Sequence, residues 1–367
     1  MSAMRSTRCR EELFIYWMNY PYYMSEVKIW TVVIVVSLFT ASCVAQDFPL
    51  GATDPRVENA IDYIAESQNS DGGFGAGASS LSTTRLAIEA IASTGGSPLM
   101  YQTEGKTVED YLLSVSEDVY SGTQGANAVT EKINMLLSLS ACGLDAQDFG
   151  EHDHVESLFD EQNSSTGCFG GGASDTAYAI IALKAAGVEP THERLDNALQ
   201  CLLSMQLADG GFEYSSGSGA DSNTVAIATR AMIMMEYSGG ALDQAFDALA
   251  AFQNTTNGGF FYQAMWGTDP DVSSTSTVVG SIYLNGQDPR EDPWSSGDAN
   301  PIGYLLDMQR ETGEFEDPWD PFRPTCLAVS SLSGNPLPGV KVISEGGILV
   351  TVIGALALLV KVDGVRR

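Results

Sequence analysis

The sequence predicts an all-α fold: a six-unit α/α toroid of helix-pair repeats, with an N-terminal signal segment and a C-terminal transmembrane helix. Three observations predict it. A phrase of Gln, a polar turn, Gly and Phe recurs five times. A segment with apolar residues at helical spacing precedes each copy. A smaller-residue apolar segment ending in glycine follows it. Fixed repetition of this size marks an architecture in which each unit buries its apolar face on its neighbours.

The five phrases begin at Gln68, Gln162, Gln206, Gln253 and Gln309 and end at Phe74, Phe169, Phe212, Phe260 and Phe315. The interval is about 45 residues, with one double gap that a degenerate copy fills from Tyr111 to Gly143. The first helix of a unit is amphipathic, as in Val57, Ile61 and Ile64, or Leu195, Leu199 and Leu202. The second helices are expected over Thr83–Gly95, Ala128–Gly143, Asp175–Gly187, Ser222–Gly239, Ser274–Gly286 and Pro324–Gly334. Ser, Thr or Asp at the start and Gly at the end are capping signals. These second helices are apolar nearly all round and so belong inside. Six outer–inner pairs close into a ring.

The ends differ from this middle. Ile29–Ala41 is an apolar run preceded by Lys28 and followed by small residues, the layout of a secretory signal cleaved after Ala45. The segment Gly346–Val360 carries no charge, and Lys361, Arg366 and Arg367 follow it. Extended back to Val340, it is long enough to span a bilayer with the basic tail inside. The expected organisation is therefore 1–45 prefix and signal, 46–338 extracellular toroid, and 339–367 membrane anchor and tail. Residues 46–338 hold 10 basic and 42 acidic residues, a net charge of −32. Such a surface repels phosphate backbones, which excludes nucleic acid as a partner. Asn163-Ser-Ser and Asn254-Thr-Thr are glycosylation sequons in an exported chain. Cys142, Cys168, Cys201 and Cys326 fall in the exported part, and the sequence leaves their pairing open between disulfides and simple burial.

The Gln–turn–Gly–Gly–Phe units with their Ala-rich helices resemble the prenyltransferase and squalene-oxidase repeat family over about residues 54–334. That family includes protein prenyltransferase β subunits, triterpene cyclases and cobalamin-carrier toroids. The resemblance implies that Gln68, Phe74, Gln206 and Phe212 are structural. It also implies two catalytic sets to look for. Cyclases of the family protonate an alkene or epoxide with an Asp-x-Asp-Asp cluster; here only Asp269-Pro270-Asp271 stands, followed by Val272-Ser273. The prenyltransferases hold zinc with Asp-x-Cys and a later His; no Asp-x-Cys occurs here, and Pro324 occupies the His position ahead of Thr325-Cys326. A thioester toroid is excluded because Cys-Gly-Glu-Gln is absent. No cofactor and no metal ligands are assigned. The Glu151-His152-Asp153-His154 stretch reads as the solvated first turn of an outer helix.

In such a ring the inner helices run parallel and gather their N-termini at one mouth, where Asp175, Asp221 and Asp271 are expected as caps. Phe261, Tyr262 and Trp266 lie on the approach, with Asp269 beside them. These seven residues form the candidate ligand site. The sequence reading is a cell-surface, non-catalytic toroid that binds a small-molecule, glycan or protein partner at its mouth. The alternative is a terpenoid-cyclase, prenyltransferase-like or glycan-active enzyme with a divergent acid; two carboxylates sharing one dry cavity would favour it.

Overall fold

The computed structural model describes residues 48–122, 128–317 and 320–337. The chain divides into two units, Met1–Phe48 and Pro49–Arg367. The signal segment and the 340–360 anchor lie outside the described residues. Among the described residues no helix is long and apolar enough to cross a membrane.

The second unit contains twelve described α-helices. They are α1 (Pro55–Glu66), α2 (Leu81–Ser93), α3 (Val108–Ser121), α4 (Ala128–Cys142), α5 (His154–Asp160) and α6 (Ala173–Ala185), then α7 (Glu193–Ser204), α8 (Ser222–Met234), α9 (Gly240–Ala250), α10 (Val272–Leu284), α11 (Pro301–Asp307) and α12 (Phe322–Leu332). A two-residue antiparallel hairpin, Gln102–Thr103 with Lys106–Thr107, precedes α3. The even-numbered helices pack in the order α2, α4, α6, α8, α10, α12, and α12 packs back on α2. The ring is therefore closed, as six units require.

Burial separates the two layers. Outer helix α1 buries three of its twelve residues, Val57, Ala60 and Ile64, a single stripe at helical spacing. Inner helix α8 buries eleven of thirteen. Its Ser, Thr and Ala side chains allow neighbouring backbones to approach. Asp54 and Ser80 accept backbone N–H groups at the starts of α1 and α2, so α2 begins at Leu81, two residues before the expected Thr83, while α6, α9 and α12 start without a side-chain cap. Four inner helices end two residues before the expected glycine and α4 ends one residue before it, and Gly95, Gly143, Gly187, Gly286 and Gly334 follow with left-handed φ of +63° to +88°. Helix α8 departs from expectation. It stops at Met234, where Glu236 takes the left-handed conformation (φ +55°), and Gly239 instead caps α9.

The repeated phrase is the joint between units. Each Gln amide donates twice, to the turn's own glycine carbonyl and to a carbonyl at the start of the next outer layer. For Gln206 the partners are Gly210 O and Ala241 O, both at 2.8 Å. For Gln162 they are Gly167 O and Arg194 O, at 2.8 and 2.7 Å. The five phrase phenylalanines are at most 1% exposed. Each contributes about 1.5–3 kcal/mol by burial. In four units the Phe backbone N–H also donates to an inner-helix hydroxyl, on Thr84, Thr176, Thr275 or Thr325. The turn glycine is held by geometry as well as by φ. A Cβ on Gly210 (φ +84°) would lie 2.4 Å from Gln244 O on α9.

The degenerate unit uses a different joint. His154 is 1% exposed and its Nε2 pairs with Ser116 Oγ at 2.9 Å. His152 stacks on Tyr120 with ring centroids 4.3 Å apart and meets Glu117 through Nε2 at 2.9 Å. The 151–154 stretch is thus a packing joint between α3 and α5, not a solvated turn, although Asp153 does cap α5. Aromatic contact replaces the missing Gln–Phe clasp. Burial, with the neighbouring His152, pulls the His154 pKa down to about 4.

Candidate functional site

Two places in the ring bring chemistry-bearing side chains together: the mouth at the inner-helix N-termini and the ring axis.

At the mouth, Asp221 caps α8. Its carboxylate accepts Thr224 N–H at 2.8 Å and Tyr214 N–H at 3.1 Å, and the residue is 1% exposed. Asp271 caps α10 by accepting Ser274 N–H at 2.7 Å. Burial raises both carboxyl pKa values against the lowering effect of these bonds, and at Asp271 the charge of Asp317 adds to it. Each acid is thus engaged by its own helix. Asp175 corrects the expectation. Helix α6 begins two residues earlier than the sequence suggests, Gly172 occupies the cap without a side chain, and Asp175 sits in the first turn accepting Gly171 N–H at 3.0 Å.

Two loops, 213–221 and 261–271, lace over this mouth. The Gln263 amide donates to Ser218 O, Gly219 O and Ala220 O at 2.8–3.2 Å, and Ser222 N–H donates to Tyr262 O at 2.9 Å. Phe261 turns inward and meets Phe252 edge-on, with centroids 5.5 Å apart. Tyr262 is half-buried and Asp269 exposed. Trp266 is 76% exposed, with Met265 at 68% and Tyr214 at 64%. The mouth therefore carries a ledge of large exposed side chains on loops, while its acids are tied to helix ends.

The axis holds what the sequence reading missed. Arg85 on α2 and Arg230 on α8 stand on opposite inner helices, 8% and 7% exposed, and both line the central cavity. Arg85 pairs with Glu89 (Nη1–Oε2 2.6 Å), donates to Asn134 Oδ1 at 2.9 Å, and lies over the Tyr178 ring at 5.8 Å. Arg230 donates to Ser281 Oγ at 3.1 Å and to Thr277 O at 2.6 Å. Gly280 makes room for it, since a Cβ there would lie 2.3 Å from Arg230 Nη2. Burial opposes the charge on both arginines. At Arg85 the Glu89 carboxylate outweighs it and the pKa rises; at Arg230 burial prevails and the pKa falls. About 30 Å³ of the cavity can hold the centre of a water molecule, against roughly 10–15 Å³ for one buried water. The signal was available in the sequence: an Arg within each of two otherwise apolar inner helices.

Cys168, in the turn between α5 and α6, is bonded to Cys201 on α7, while Cys142 and Cys326 are thiols. Burial pushes the Cys142 thiol up to about 12.

These features define a helical toroid of the prenyltransferase type. The chain belongs to the prenyltransferase alpha-alpha toroid domain family, whose model matches residues 27–132 and 111–316. It is similar in structure to the type II terpene cyclase MstE from Scytonema in its apo form, with a TM-score of 0.53 and 14% identity over 77% of this chain and 97% of that one. It is also similar to the Candida albicans protein geranylgeranyltransferase-I complexed with GGPP, with a TM-score of 0.51 and 13% identity over 78% and 94% of the two chains. A glycosidase in complex with glucose gives a TM-score of 0.50 and 11% identity over 78% and 96%. At these identities the likeness is one of fold. No curated protein sequence matches the chain.

Proposed function

We propose that the protein is a non-catalytic member of this toroid family, displayed at the cell surface, that binds a small-molecule, glycan or protein partner at the ring mouth. The observation that carries the reading is the state of the mouth acids. Asp221 and Asp271 are each engaged by the first turn of their own helix rather than aimed together at a substrate. The axis supports it. Protonating an alkene generates a carbocation, and buried guanidiniums raise the energy of a positive charge formed near them. The exposed Trp266 and Tyr214 supply flat apolar area at the place where a ligand would dock. The Cys168–Cys201 bond supports an exported toroid, because disulfides persist in oxidising compartments.

The test uses the purified full-length chain. Trp266→Ala and Tyr214→Ala should abolish binding of whatever partner the wild type captures from a glycan and peptide panel, at unchanged melting temperature. Turnover of a squalene-like substrate, a prenyl diphosphate or a glycoside by the wild type, lost in Asp271→Asn, would overturn the reading.

A further inference from the structure

We propose that the ring axis, a site separate from the mouth, binds a short aliphatic monocarboxylate whose carboxylate sits between the Arg85 and Arg230 guanidiniums. The first ground is charge. Two arginines and one glutamate line the cavity, leaving one positive charge in excess. Glu89 is engaged by Arg85, and no carboxylate among the described residues lies within ion-pair distance of Arg230. A buried charge without a counter-charge is costly unless something supplies one. In an exported part of net charge −32, a buried surplus cation is an exception to the whole composition.

The second ground is independent of charge. Ser276 is 1% exposed, lines the same cavity, and its hydroxyl has no hydrogen-bond partner. Asn134 places its Oδ1 against Arg85, which leaves the amide Nδ2 buried with no acceptor. Buried polar groups are nearly always satisfied, so the unpaired Ser276 hydroxyl on the cavity wall describes a place where an acceptor is missing, and the Asn134 amide behind Arg85, which does not line the cavity, adds a second unpaired donor. A carboxylate has two oxygens and about four lone-pair sites, and guanidiniums bind it in a planar fork.

Size and lining select the rest of the ligand. The remaining wall is aliphatic, with Leu137, Ile181, Ile227 and Leu327. The room of about 30 Å³ for water centres corresponds to roughly two or three waters. That suits a carboxylate bearing one or two carbons and excludes a prenyl chain. One surplus positive charge favours a monoanion over inorganic phosphate, whose second charge would be left unmatched.

Propionate is the probe. Saturation-transfer NMR and calorimetry on the full-length protein should show saturable binding, with 1-propanol inert and phosphate a poor competitor. Arg230→Met should weaken propionate about tenfold or more, the equivalent of one charge-assisted hydrogen bond. Ser276→Ala should weaken it several-fold, while Trp266→Ala at the mouth should leave it unchanged. If Arg230→Met does not fold, Arg230→Lys, which keeps the charge and loses the fork, takes its place and should also weaken binding. No saturable propionate binding by the wild type overturns the proposal. So does wild-type affinity in Ser276→Ala together with the arginine variant, or phosphate binding as well as propionate. None of these outcomes bears on ligand capture at the mouth.

Discussion

The side-chain amide of Gln309 donates to the backbone carbonyl of Arg56 at 2.8 Å, across 253 residues of chain. The same amide donates to Gly313 O at 3.0 Å. This is the joint that Gln206 makes between adjacent units, used here to bind the last turn to the first helix. Gly313 approaches the same helix, and a Cβ on it would lie 2.2 Å from Asn59 O. Gln309→Ala should cost about 1–2 kcal/mol, because two part-buried carbonyls lose their donor. Hydrogen exchange locates the damage. Protection should fall in α1 and α12 for Gln309→Ala, and around α7–α9 for Gln206→Ala. Equal loss everywhere in both variants would mean that the amides do not act as local seams.

The His154 joint predicts an acid sensitivity. The folded pKa is depressed to about 4 by burial, below the ordinary value near 6.5. The unfolded chain then binds the extra proton first as pH falls. Stability should therefore be full above about pH 6.5 and decline towards pH 4, by up to about 3 kcal/mol at this residue. His154→Gln, compared with wild type by urea unfolding at pH 7 and pH 4.5, should flatten that part of the profile. An equally steep decline in the variant would place the acid sensitivity elsewhere.

The repeat was legible in the sequence because its determinants are local. A Gln, a left-handed Gly and a Phe fix one turn wherever they occur, and Phe74, Phe212 and Phe260 are fully buried as their recurrence implies. Ring closure followed from the count of units. The axis was only half legible: Arg85 and Arg230 each stand out in a mainly apolar inner helix, but which way they face depends on helix phase, and only the closed ring shows that both line one cavity. Asp175 was misplaced by two residues because Gly172 starts α6 with no side-chain cap. The Cys168–Cys201 pairing needed the register of one unit's turn against the next unit's outer helix, which no spacing rule supplies.

That disulfide ties the α5–α6 turn to α7 and closes a loop of 33 residues. Replacing both partners with Ser should cost about 2–4 kcal/mol, the range for a bond that restricts the unfolded chain. Reductant should bring the wild-type unfolding midpoint down to that of the double variant and leave the variant unmoved. A wild-type midpoint insensitive to reductant would show that the pair contributes nothing.

The Asp221 carboxylate separates the two functional readings. It accepts backbone N–H groups from Thr224 and Tyr214 while 1% exposed. Asp221→Ala removes both acceptors at once and should cost about 1–2 kcal/mol as a lost cap. Asp221→Asn keeps an acceptor oxygen at the same place. Burial raises the Asp221 pKa, so the folded state disfavours the charged form relative to the unfolded chain. That cost is present above the unfolded pKa and is relieved as pH falls. The Asn variant, which never carries the charge, should therefore exceed wild-type stability at pH 7 and lose that advantage in acid. Asp175→Ala, a first-turn acid, should cost less, about 0.3–1 kcal/mol. A cap obeys this ordering and leaves ligand capture at the mouth intact in the Asn variant. A proton donor behaves differently: Asn would keep stability yet abolish turnover of a squalene-like or glycan substrate. Stability at pH 7 and pH 4.5, measured beside binding and turnover for Asp221→Asn and Asp271→Asn, decides between them.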